Sequence, residues 1–410
     1  MKRKMLLKNC KIITSKEIIE ADILIEDGKI AKLGKNLKGN GETINLKGKP
    51  VFPGLVDIHV HARDFKQSYK EDFASCTKAA LANGITMVVD MPNTLPPVMD
   101  KKTFDKRVEI ASLKSYVDFG INFGVADINK EEIENLLNAK GVKPFAFKIY
   151  MDDTLGKVSS ETIERAIETY VCCVHAEEHG IIEAKGRVKE AEILAVKKIC
   201  KLAERYRKHV HICHISCKES LRYLNRYVTC EVTPHHLLLT HKDFKELGSI
   251  AKVNPPLRTR EDNKALLEAL KNGMIQIIAS DHAPHTLSEK ESENPPAGIP
   301  NLDVMFKLLL TLVNKKILSL HNIVLALCEN PCKIFGIKNK GIEVGKDADL
   351  IVLNLKKEGK IVPEEFYSKA KYSPFEGWKT IGEVETVIFR GKIAYVDGEI
   401  IKNKKSEKRF

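Results

Sequence analysis

The sequence has no long apolar run, no C-x-x-C cysteine pair, no internal repeat and no low-complexity segment. A helix needs about 20 consecutive apolar residues to cross a bilayer, and no stretch of the chain approaches that length. The basic start, residues 1–4, is followed by only Met5-Leu6-Leu7 before Lys8, which is too short for a signal peptide. We therefore expect a cytoplasmic protein with no membrane partner.

The ten cysteines include no C-x-x-C pair of the kind that binds zinc or cycles between thiol and disulfide. Several lie inside apolar runs, as Cys172 and Cys173 do between Val171 and Val174. In a cytosolic chain such cysteines are most simply interpreted as buried free thiols.

The net charge is +12, from 67 Lys and Arg against 55 Asp and Glu. The basic residues are mixed with acidic ones along the chain, and only residues 1–4 and 402–405 form basic clusters. This distribution fits a solvated, heat-adapted surface better than a nucleic-acid site, so we expect no nucleic-acid partner. The positive field would still attract an anionic substrate.

The middle of the chain alternates apolar strand patterns with amphipathic helical patterns. Helices are predicted, for example, at 70–83, 130–138 and 190–206. The predicted strands lie at 55–61, 86–90, 117–124, 145–150, 171–175, 210–214, 228–232 and 275–280. Eight strands with helices between most of them predict an α/β fold, a (β/α)8 TIM-like barrel.

Both ends of the chain read instead as short strands joined by tight turns. Asp27-Gly28 is typical of a hairpin turn near the start, and Asp397-Gly398 near the end. We expect a small β-rich domain formed by both termini, residues 1–52 and 345–410, beside a barrel of residues 53–344.

Histidines and charged residues lie where the predicted barrel strands end, which is the face that carries the active site in such barrels. Strand alternation puts His59 and His61 on one face, so both imidazoles can reach one ion. Arg63 continues on that face if the strand persists. Other residues at or near strand ends are Asn93, Lys148, His175, His214, Asp281 and His285.

Each of these histidines taken alone is more simply a hydrogen-bonded core residue, and Asp281 alone a helix cap. Their coincidence at strand ends favours a site for zinc or a similar divalent ion, with nitrogen and oxygen ligands. His211 shares the face of Cys213 and is left out of the predicted site.

Lys148 lies inside the apolar run Phe145–Tyr150. A lysine in such a run usually reaches the surface or pairs with a carboxylate. If it is fully buried it tends to lose its charge, and the neutral amine can react with CO2 to form a carbamate. A carbamate beside the histidines would supply an anionic oxygen bridge between two metals.

Together these segments resemble the amidohydrolase superfamily and, more narrowly, the dihydroorotases, in particular the dihydroorotase domain of the animal multifunctional pyrimidine enzyme. The resemblance extends over essentially the whole chain. Its motifs are Asp57-Ile-His-Val-His-Ala-Arg63, Met91-Pro-Asn-Thr94, Val210-His-Ile-Cys-His214, Val228-Thr-Cys-Glu-Val-Thr-Pro-His-His-Leu237 and Ser280-Asp-His-Ala-Pro-His-Thr-Leu-Ser-Glu-Lys290.

The resemblance implies a zinc-dependent cyclic amidohydrolase. Its reaction would be the reversible cyclisation of N-carbamoyl-L-aspartate to (S)-dihydroorotate plus water, in pyrimidine (UMP) biosynthesis. It implies two Zn2+ per chain, bridged by carboxylated Lys148 and a hydroxide. One ion would be held by His59, His61 and Asp281, the other by His175 and His214, and Asp281 would also be the catalytic acid and base.

The resemblance also implies a substrate site and a mobile loop. The implied substrate-binding residues are His61, Arg63, Asn93, Asn254, His285, Ala297 and Gly298. Thr154 and Leu155 lie in the implied mobile loop, where Leu155 replaces an aromatic residue. The segment Asp64-Phe65-Lys66 replaces the Glu-Pro-Gly of many relatives, which predicts a different local turn.

Two rival interpretations stay open at this point. Hydantoinases and allantoinases share the metals and the chemistry, but their substrates need not carry a ring carboxylate, so Arg63 favours dihydroorotate. A non-catalytic scaffold for aspartate transcarbamoylase would have lost metal ligands, and all six are present here. A homodimer, an association with aspartate transcarbamoylase and a third metal near Cys213 are left open, although a structural thiol is the simpler interpretation of Cys213.

Overall fold

The computed structural model describes residues 4–129 and 131–401. The strands are β1 Lys4–Ile13, β2 Ile18–Glu26, β3 Lys29–Gly34, β4 Glu42–Asn45, β5 Pro50–Pro53, β6 Leu55–Val60, β7 Ile85–Asp90, β8 Asp118–Ile121, β9 Phe123–Val125, β10 Phe147–Tyr150, β11 Cys172–His175, β12 Val210–Ile212, β13 Val228–Val232, β14 Ile277–Ile278, β15 Leu350–Lys360, β16 Lys379–Phe389, β17 Lys392–Val396 and β18 Glu399–Ile400.

The α-helices are α1 Phe73–Ala82, α2 Lys101–Lys114, α3 Glu132–Asn138, α4 Ser160–Thr169, α5 His179–Lys185, α6 Lys189–Tyr206, α7 Pro234–Leu238, α8 His241–Leu247, α9 Arg260–Lys271, α10 Leu287–Lys290, α11 Leu302–Asn314, α12 Leu320–Val324 and α13 Asn330–Phe335. A π-helical turn covers Leu325–Glu329. Short 3-10 turns lie at Phe65–Gln67, Asp127–Asn129, Lys218–Tyr223, Gly248–Ala251 and Pro363–Glu365.

One nine-stranded sheet combines both ends of the chain, in the order β18-β17-β16-β15-β5-β1-β2-β3 with β4 beside β1. The two ends meet where β5 pairs antiparallel with β15, Phe52 opposite Ile351. Asp27 and Gly28 both have positive φ between β2 and β3, as a two-residue hairpin turn requires. The predicted β-rich domain built from both termini is confirmed, while its limits at residues 52 and 345 stay a prediction.

The other strands, β6 to β14, are parallel and form the barrel. β8 and β9 are two halves of one barrel strand, because the Phe145 N–H donates to Ile121 (2.8 Å) and the Phe123 N–H to Ala146 (3.0 Å). The ring closes where the His61 N–H donates to the His282 carbonyl, 2.8 Å away. The predicted (β/α)8 barrel is therefore confirmed.

The observed elements are mostly shorter than the predicted ones. The strand predicted at 210–214 ends at Ile212, and the one predicted at 275–280 is only Ile277–Ile278. The helix predicted at 130–138 begins at Glu132, and Lys130 lies outside the described residues, as does the basic segment 402–405. None of the described helices is long and apolar enough to span a membrane.

Helix α1 illustrates how local sequence sets the elements around the site. The carboxylate of Asp72 accepts from the Ser75 N–H (2.9 Å), while the Ser75 side chain caps the Asp72 N–H in return. Such caps stabilise a helix start by about 1 kcal/mol. The helix then buries Phe73 and Cys76 against the barrel. Nine of the ten cysteines are buried free thiols, as predicted, and Cys332 is half-buried.

Candidate metal centre and substrate site

Four histidine rings converge at the carboxyl end of the barrel strands. His59 lies on β6 and His61 just beyond it, His175 ends β11, and His214 follows β12 by two residues. The His175 Nδ1 and His214 Nε2 atoms are 3.0 Å apart. The ring centroids of His59 lie 5.5 Å from His61 and 5.3 Å from His214. All four side chains are buried.

The carboxylate of Asp281 completes this cluster. Its Oδ1 atom lies 3.1 Å from His61 Nε2 and 3.4 Å from His59 Nε2. Asp281 and His214 both have positive φ, 45° and 32°. A non-glycine residue in this region costs of order 1–3 kcal/mol and is concentrated at functional sites. The fold therefore holds two of the predicted ligands in a backbone conformation that local sequence alone does not favour.

The outer ring nitrogens of three of these histidines are held by neighbouring side chains. His59 Nδ1 bonds to Glu231 Oε1, and His61 Nδ1 lies 2.8 Å from Asn93 Oδ1. His175 Nε2 lies 2.9 Å from Glu177 Oε2. Acceptors of this kind fix the orientation and tautomer of metal-binding histidines. The remaining ring nitrogens, His59 Nε2, His61 Nε2 and His175 Nδ1, face the cluster.

Charge and burial set the protonation of the cluster in the absence of a cation. Burial lowers the pKa of His61 to about 4, and burial with the neighbouring His175 lowers the pKa of His214. Burial also acts against a charged His59, but Glu231 and Asp281 outweigh it and raise the pKa of His59 to about 10. His61 and His214 are therefore neutral, which is the state that binds a divalent cation, whereas His59 would release its proton when a cation binds.

Lys148 lies on β10 and is completely buried. Its Nζ atom lies 2.8 Å from Cys213 Sγ. Burial raises the pKa of the Cys213 thiol, so that neighbour is uncharged. Within residues 4–129 and 131–401, no carboxylate lies at ion-pairing distance from Lys148 Nζ. Burial alone disfavours the ammonium, but the contact with Cys213 and the charge of Glu231 outweigh burial and raise the pKa of Lys148. Formation of a carbamate would therefore require that the amine first release its proton.

Nitrogen and oxygen donors therefore meet here in a form that suits a divalent cation. Donor atoms of His59, His61 and Asp281 lie within 4.8 Å of one another, and those of Asp152, His175 and Glu177 do so next to them. A third group consists of His59, Glu231 and Cys213, so the cysteine lies beside the ligand His59.

Beside the cluster lies a corner rich in hydrogen-bond donors. The buried Arg63 side chain donates to the Pro284 carbonyl (3.2 Å), and its Nη2 lies 3.1 Å from His285 Nε2. Lys70 Nζ lies 3.3 Å from His285 Nδ1 on the other side of the ring. Burial, with Arg63 and Lys70 nearby, lowers the pKa of His285 to about 2, so the ring is neutral. A neutral imidazole has one acceptor nitrogen, so it cannot accept from both cations. Lys70 is paired with the carboxylate of Glu289 (2.8 Å), whereas Arg63 has no carboxylate at ion-pairing distance among the described residues.

The turn at Arg63 differs from what Glu-Pro-Gly would form. Arg63, Asp64 and Phe65 have φ values of 52°, 52° and 46°. Proline fixes φ near −65° and could not replace Phe65 here. The Arg63 carbonyl accepts from Arg107 Nη1 at 2.7 Å, which helps to hold the turn.

The other predicted substrate residues are placed less uniformly. Gly298 lies against His285, because a Cβ atom at Gly298 would come within 3.3 Å of that ring. Asn93 is bonded to His61, which is a positioning contact not predicted from the sequence. Asn254 is half-buried, and it makes no hydrogen bond to the cluster within the described residues.

The predicted mobile loop is tied to the cluster through Asp152. The Thr154 hydroxyl donates to Asp152 Oδ1 (2.8 Å), and Asp152 Oδ2 lies 3.5 Å from His175 Nε2. Leu155 packs against Gly124, where a Cβ atom would come within 2.5 Å of its side chain. Mobility of this loop stays a prediction.

Glu231 and His211 belong to the site although sequence reasoning missed the first and left out the second. Glu231 is buried on β13, and its Oε2 atom lies 3.0 Å from His211 Nε2 while Oε1 bonds to His59. His211 was left out of the predicted metal site, and it meets the cluster only indirectly, through Glu231 on the neighbouring strand. The available signal was a carboxylate inside the apolar run Val228–Val232.

We expect Glu231→Gln to weaken metal affinity by about 10- to 100-fold, since a neutral amide holds the two histidines less firmly. Competition with a chromogenic chelator measures this affinity. Glu268→Gln, at an exposed carboxylate that pairs with Lys271, is the control and should leave it unchanged. Equal affinities in both variants would remove Glu231 from the support of His59.

Comparison with known proteins agrees with this geometry. The model of the Amidohydrolase family matches residues 51–394. A dihydroorotase of Pyrococcus horikoshii is 44% identical over 406 residues, covering 97% of this chain and 94% of that one. A dihydroorotase of Methanothermobacter thermautotrophicus is 38% identical over 420 residues, covering 96% and 95%.

Among solved structures, an L-hydantoinase (dihydropyrimidinase) from Arthrobacter aurescens superposes with a TM-score of 0.92 at 30% identity, covering 98% of both chains. A dihydropyrimidinase from Brevibacillus agri superposes with a TM-score of 0.89 at 25% identity, covering 97% and 96%. The fold and the histidine cluster thus define a barrel hydrolase. The chain belongs to the amidohydrolase family and, within it, to the dihydroorotases.

Proposed function

We propose that the protein catalyses the reversible cyclisation of N-carbamoyl-L-aspartate to (S)-dihydroorotate with two bound Zn2+ ions, as a step of pyrimidine synthesis. The observation that carries this proposal is the donor-rich corner of Arg63 and His285 beside the histidine cluster. Dihydroorotate differs from 5,6-dihydrouracil by one ring carboxylate, and only the former needs such a corner.

Arg63 is suited to bind that carboxylate. Its Nη1 atom makes no hydrogen bond in the described part of the chain, so one prong of the guanidinium is available while Nε and Nη2 are held. A buried guanidinium forms short, charge-assisted and bidentate bonds to carboxylates. His285 and Lys70 add donors on the same side. The ring carboxylate would therefore orient the amide bond toward the histidine cluster.

We assign one cation to His59, His61 and Asp281 and the second to His175 and His214, with a carbamate on Lys148 between them. Lys148 would first release its ammonium proton; its Nζ would then attack CO2 and lose a second proton, which turns the buried side chain into an anionic ligand. When bound, two divalent cations polarise the ring carbonyl and lower the pKa of water. The outer contacts of Glu231, Asn93 and Glu177 would keep the ligand rings in place.

Asp281 is placed to move the proton. Its Oδ1 faces His59 and His61, while its Oδ2 makes no hydrogen bond in the described residues. In ring opening, the carboxylate would accept a proton from the attacking water and deliver it to the ring nitrogen that leaves. In cyclisation, it would take the proton from the carbamoyl nitrogen and deliver it to the departing oxygen.

The direct test is turnover in both directions by the zinc-loaded protein. Carbamoyl aspartate carries two negative charges and dihydroorotate one, so cyclisation consumes a proton and is favoured at acidic pH. We expect cyclisation at acidic pH and ring opening at alkaline pH. No turnover with two ions bound would overturn the function, and far fewer than two ions without turnover would favour the scaffold role. The homodimer and the association with aspartate transcarbamoylase stay predictions.

Arg63→Met should raise the KM for dihydroorotate about 100-fold, because it removes the charge that pairs with the ring carboxylate. Metal content should stay at the wild-type value, and any activity on dihydrouracil should change little. Steady-state kinetics on both substrates measure this. Arg222→Met, at a surface arginine that lies on Tyr223, is the control, and an unchanged KM in Arg63→Met would remove Arg63 from the carboxylate site.

A further inference from the structure

A buried lysine lies next to the substrate corner but outside the metal cluster. Lys290 is the last residue of α10 and is only 1% exposed. Its Nζ atom donates to the carbonyls of Gly298 (2.9 Å) and Pro296 (3.0 Å). It also lies 5.8 Å from the ring centroid of Tyr372. The lysine therefore binds the backbone of the segment 295–298, here named the proline loop.

Other contacts converge on the same loop. Lys252 Nζ donates to the Pro295 carbonyl (2.7 Å), and the Lys252 carbonyl accepts from the Gly298 N–H (2.9 Å). The Tyr372 hydroxyl donates to the Gly298 carbonyl (3.3 Å). Gly298 has a φ of 133°, and a Cβ atom there would come within 2.5 Å of the Ala283 carbonyl oxygen. The loop is thus pressed against the segment that carries His285.

The buried amine has no charged partner. Among the described residues, no carboxylate lies at ion-pairing distance from Lys290 Nζ. Burial, with Lys252 nearby, lowers the pKa of Lys290 to about 7. A methionine would fill the same volume without burying a polar group, which is costly unless it is hydrogen-bonded. The hydrogen bonds to the loop carbonyls are what distinguish lysine from an apolar residue here.

One residue of the loop has a backbone N–H and a carbonyl without partners in the described part of the chain. With the Pro296 and Gly298 carbonyls held by Lys290, the N–H and carbonyl of the half-buried Ala297 make no hydrogen bond in the described residues. A donor and an acceptor on one residue match the adjacent N–H and C=O of a cyclic imide. Gly298, the next residue, lies against His285 and so places this pair beside the Arg63 corner.

We infer that Lys290 is a positioning residue, which fixes the proline loop against His285 and so holds in place the backbone of Ala297, a substrate-binding residue that the family resemblance implies. This inference rests on the proposed function for its substrate. The lysine acts through the loop and not on the reacting atoms, so it should affect substrate affinity more than the chemical step.

Lys290→Ala should raise the KM for dihydroorotate about tenfold while kcat changes less than about threefold, as expected for lost uniform binding. Added ethylammonium should restore the KM, because it fits the vacated space and donates hydrogen bonds. Tetramethylammonium at the same concentration has no N–H and should not. An unchanged KM, or equal effects of the two cations, would overturn the inference. Lys290→Met keeps the apolar stem and should show the same KM rise without rescue.

Hydrogen exchange of the Gly298 amide, which donates to the Lys252 carbonyl (2.9 Å), tests the clamp without substrate. Exchange should be faster in Lys290→Ala and Lys290→Met than in the wild type, and unchanged in Lys271→Ala, which alters an exposed lysine of α9. Equal exchange in all proteins would overturn the positioning role. A wild type that does not open dihydroorotate would refute the proposed function, while exchange would still decide whether Lys290 holds the loop.

Discussion

Lys148→Ala should lose the metal centre and turnover in both directions. The substitution removes the amine that would become the bridging carbamate, and its fully buried position on β10 offers no water to replace it. Without the cations, the polarised carbonyl and the activated water are lost together, which corresponds to several kcal/mol, or about 1,000-fold or more in kcat. Metal analysis of the purified protein and steady-state kinetics measure the two effects.

Cys213→Ser is the matched control for this experiment. It changes the hydrogen-bond partner of Lys148 Nζ but keeps the amine, so the variant should retain both ions and most of the activity. Reconstitution of metal-free wild type with zinc should also be faster in the presence of bicarbonate, which supplies CO2. If Lys148→Ala retained two ions per chain, the bridging role of Lys148 would be wrong.

Asp281→Asn should lower kcat by about 100- to 10,000-fold, the range expected when a general acid and base is removed. The amide keeps the shape of the side chain but cannot accept a proton. The wild-type carboxylate is ionised at neutral pH, because His59 and His61 outweigh burial and hold the pKa of Asp281 well below its usual range. The acidic limb of the plot of kcat against pH should therefore differ between Asp281→Asn and the wild type.

The readout that separates proton transfer from metal binding is the zinc content. Glu231→Gln, which acts on His59 from outside the cluster, should lower activity in proportion to the zinc that it loses. Asp281→Asn measured at saturating zinc should stay slow. An Asp281→Asn enzyme that regains wild-type kcat when zinc is added would make Asp281 a ligand only.

The parts of the site that could be predicted from sequence are those that depend on local patterns. The alternation of His59 and His61 follows from strand geometry alone, and the eight strands follow from repeated apolar runs. Lys148 can be identified as a candidate because a charged side chain inside an apolar strand is costly to bury.

The parts that could not be predicted depend on contacts between distant segments. Glu231 meets His59 across 172 positions, and neither residue indicates the other in sequence. The positive φ values at Arg63 and Asp281 depend on the fold that surrounds them. The role of Lys290 appears only when its two acceptors are known to be loop carbonyls.

The fold by itself does not separate the candidate substrates. Solved structures with a TM-score near 0.9 are hydantoinases and dihydropyrimidinases, whereas the relatives at 34–44% identity are dihydroorotases. The choice between these substrates therefore depends on the carboxylate corner of Arg63, His285 and Lys70, and not on the barrel or the metal ligands.

The most direct test is the ratio of kcat/KM for dihydroorotate to that for 5,6-dihydrouracil, measured with the zinc-loaded wild type at one pH. The two rings differ only in the carboxylate. We predict a ratio above about 1,000, because a site built for a charged group rejects the analogue that leaves its donors unpaired. A ratio near one, or a preference for dihydrouracil, would contradict the assignment of this protein as a dihydroorotase.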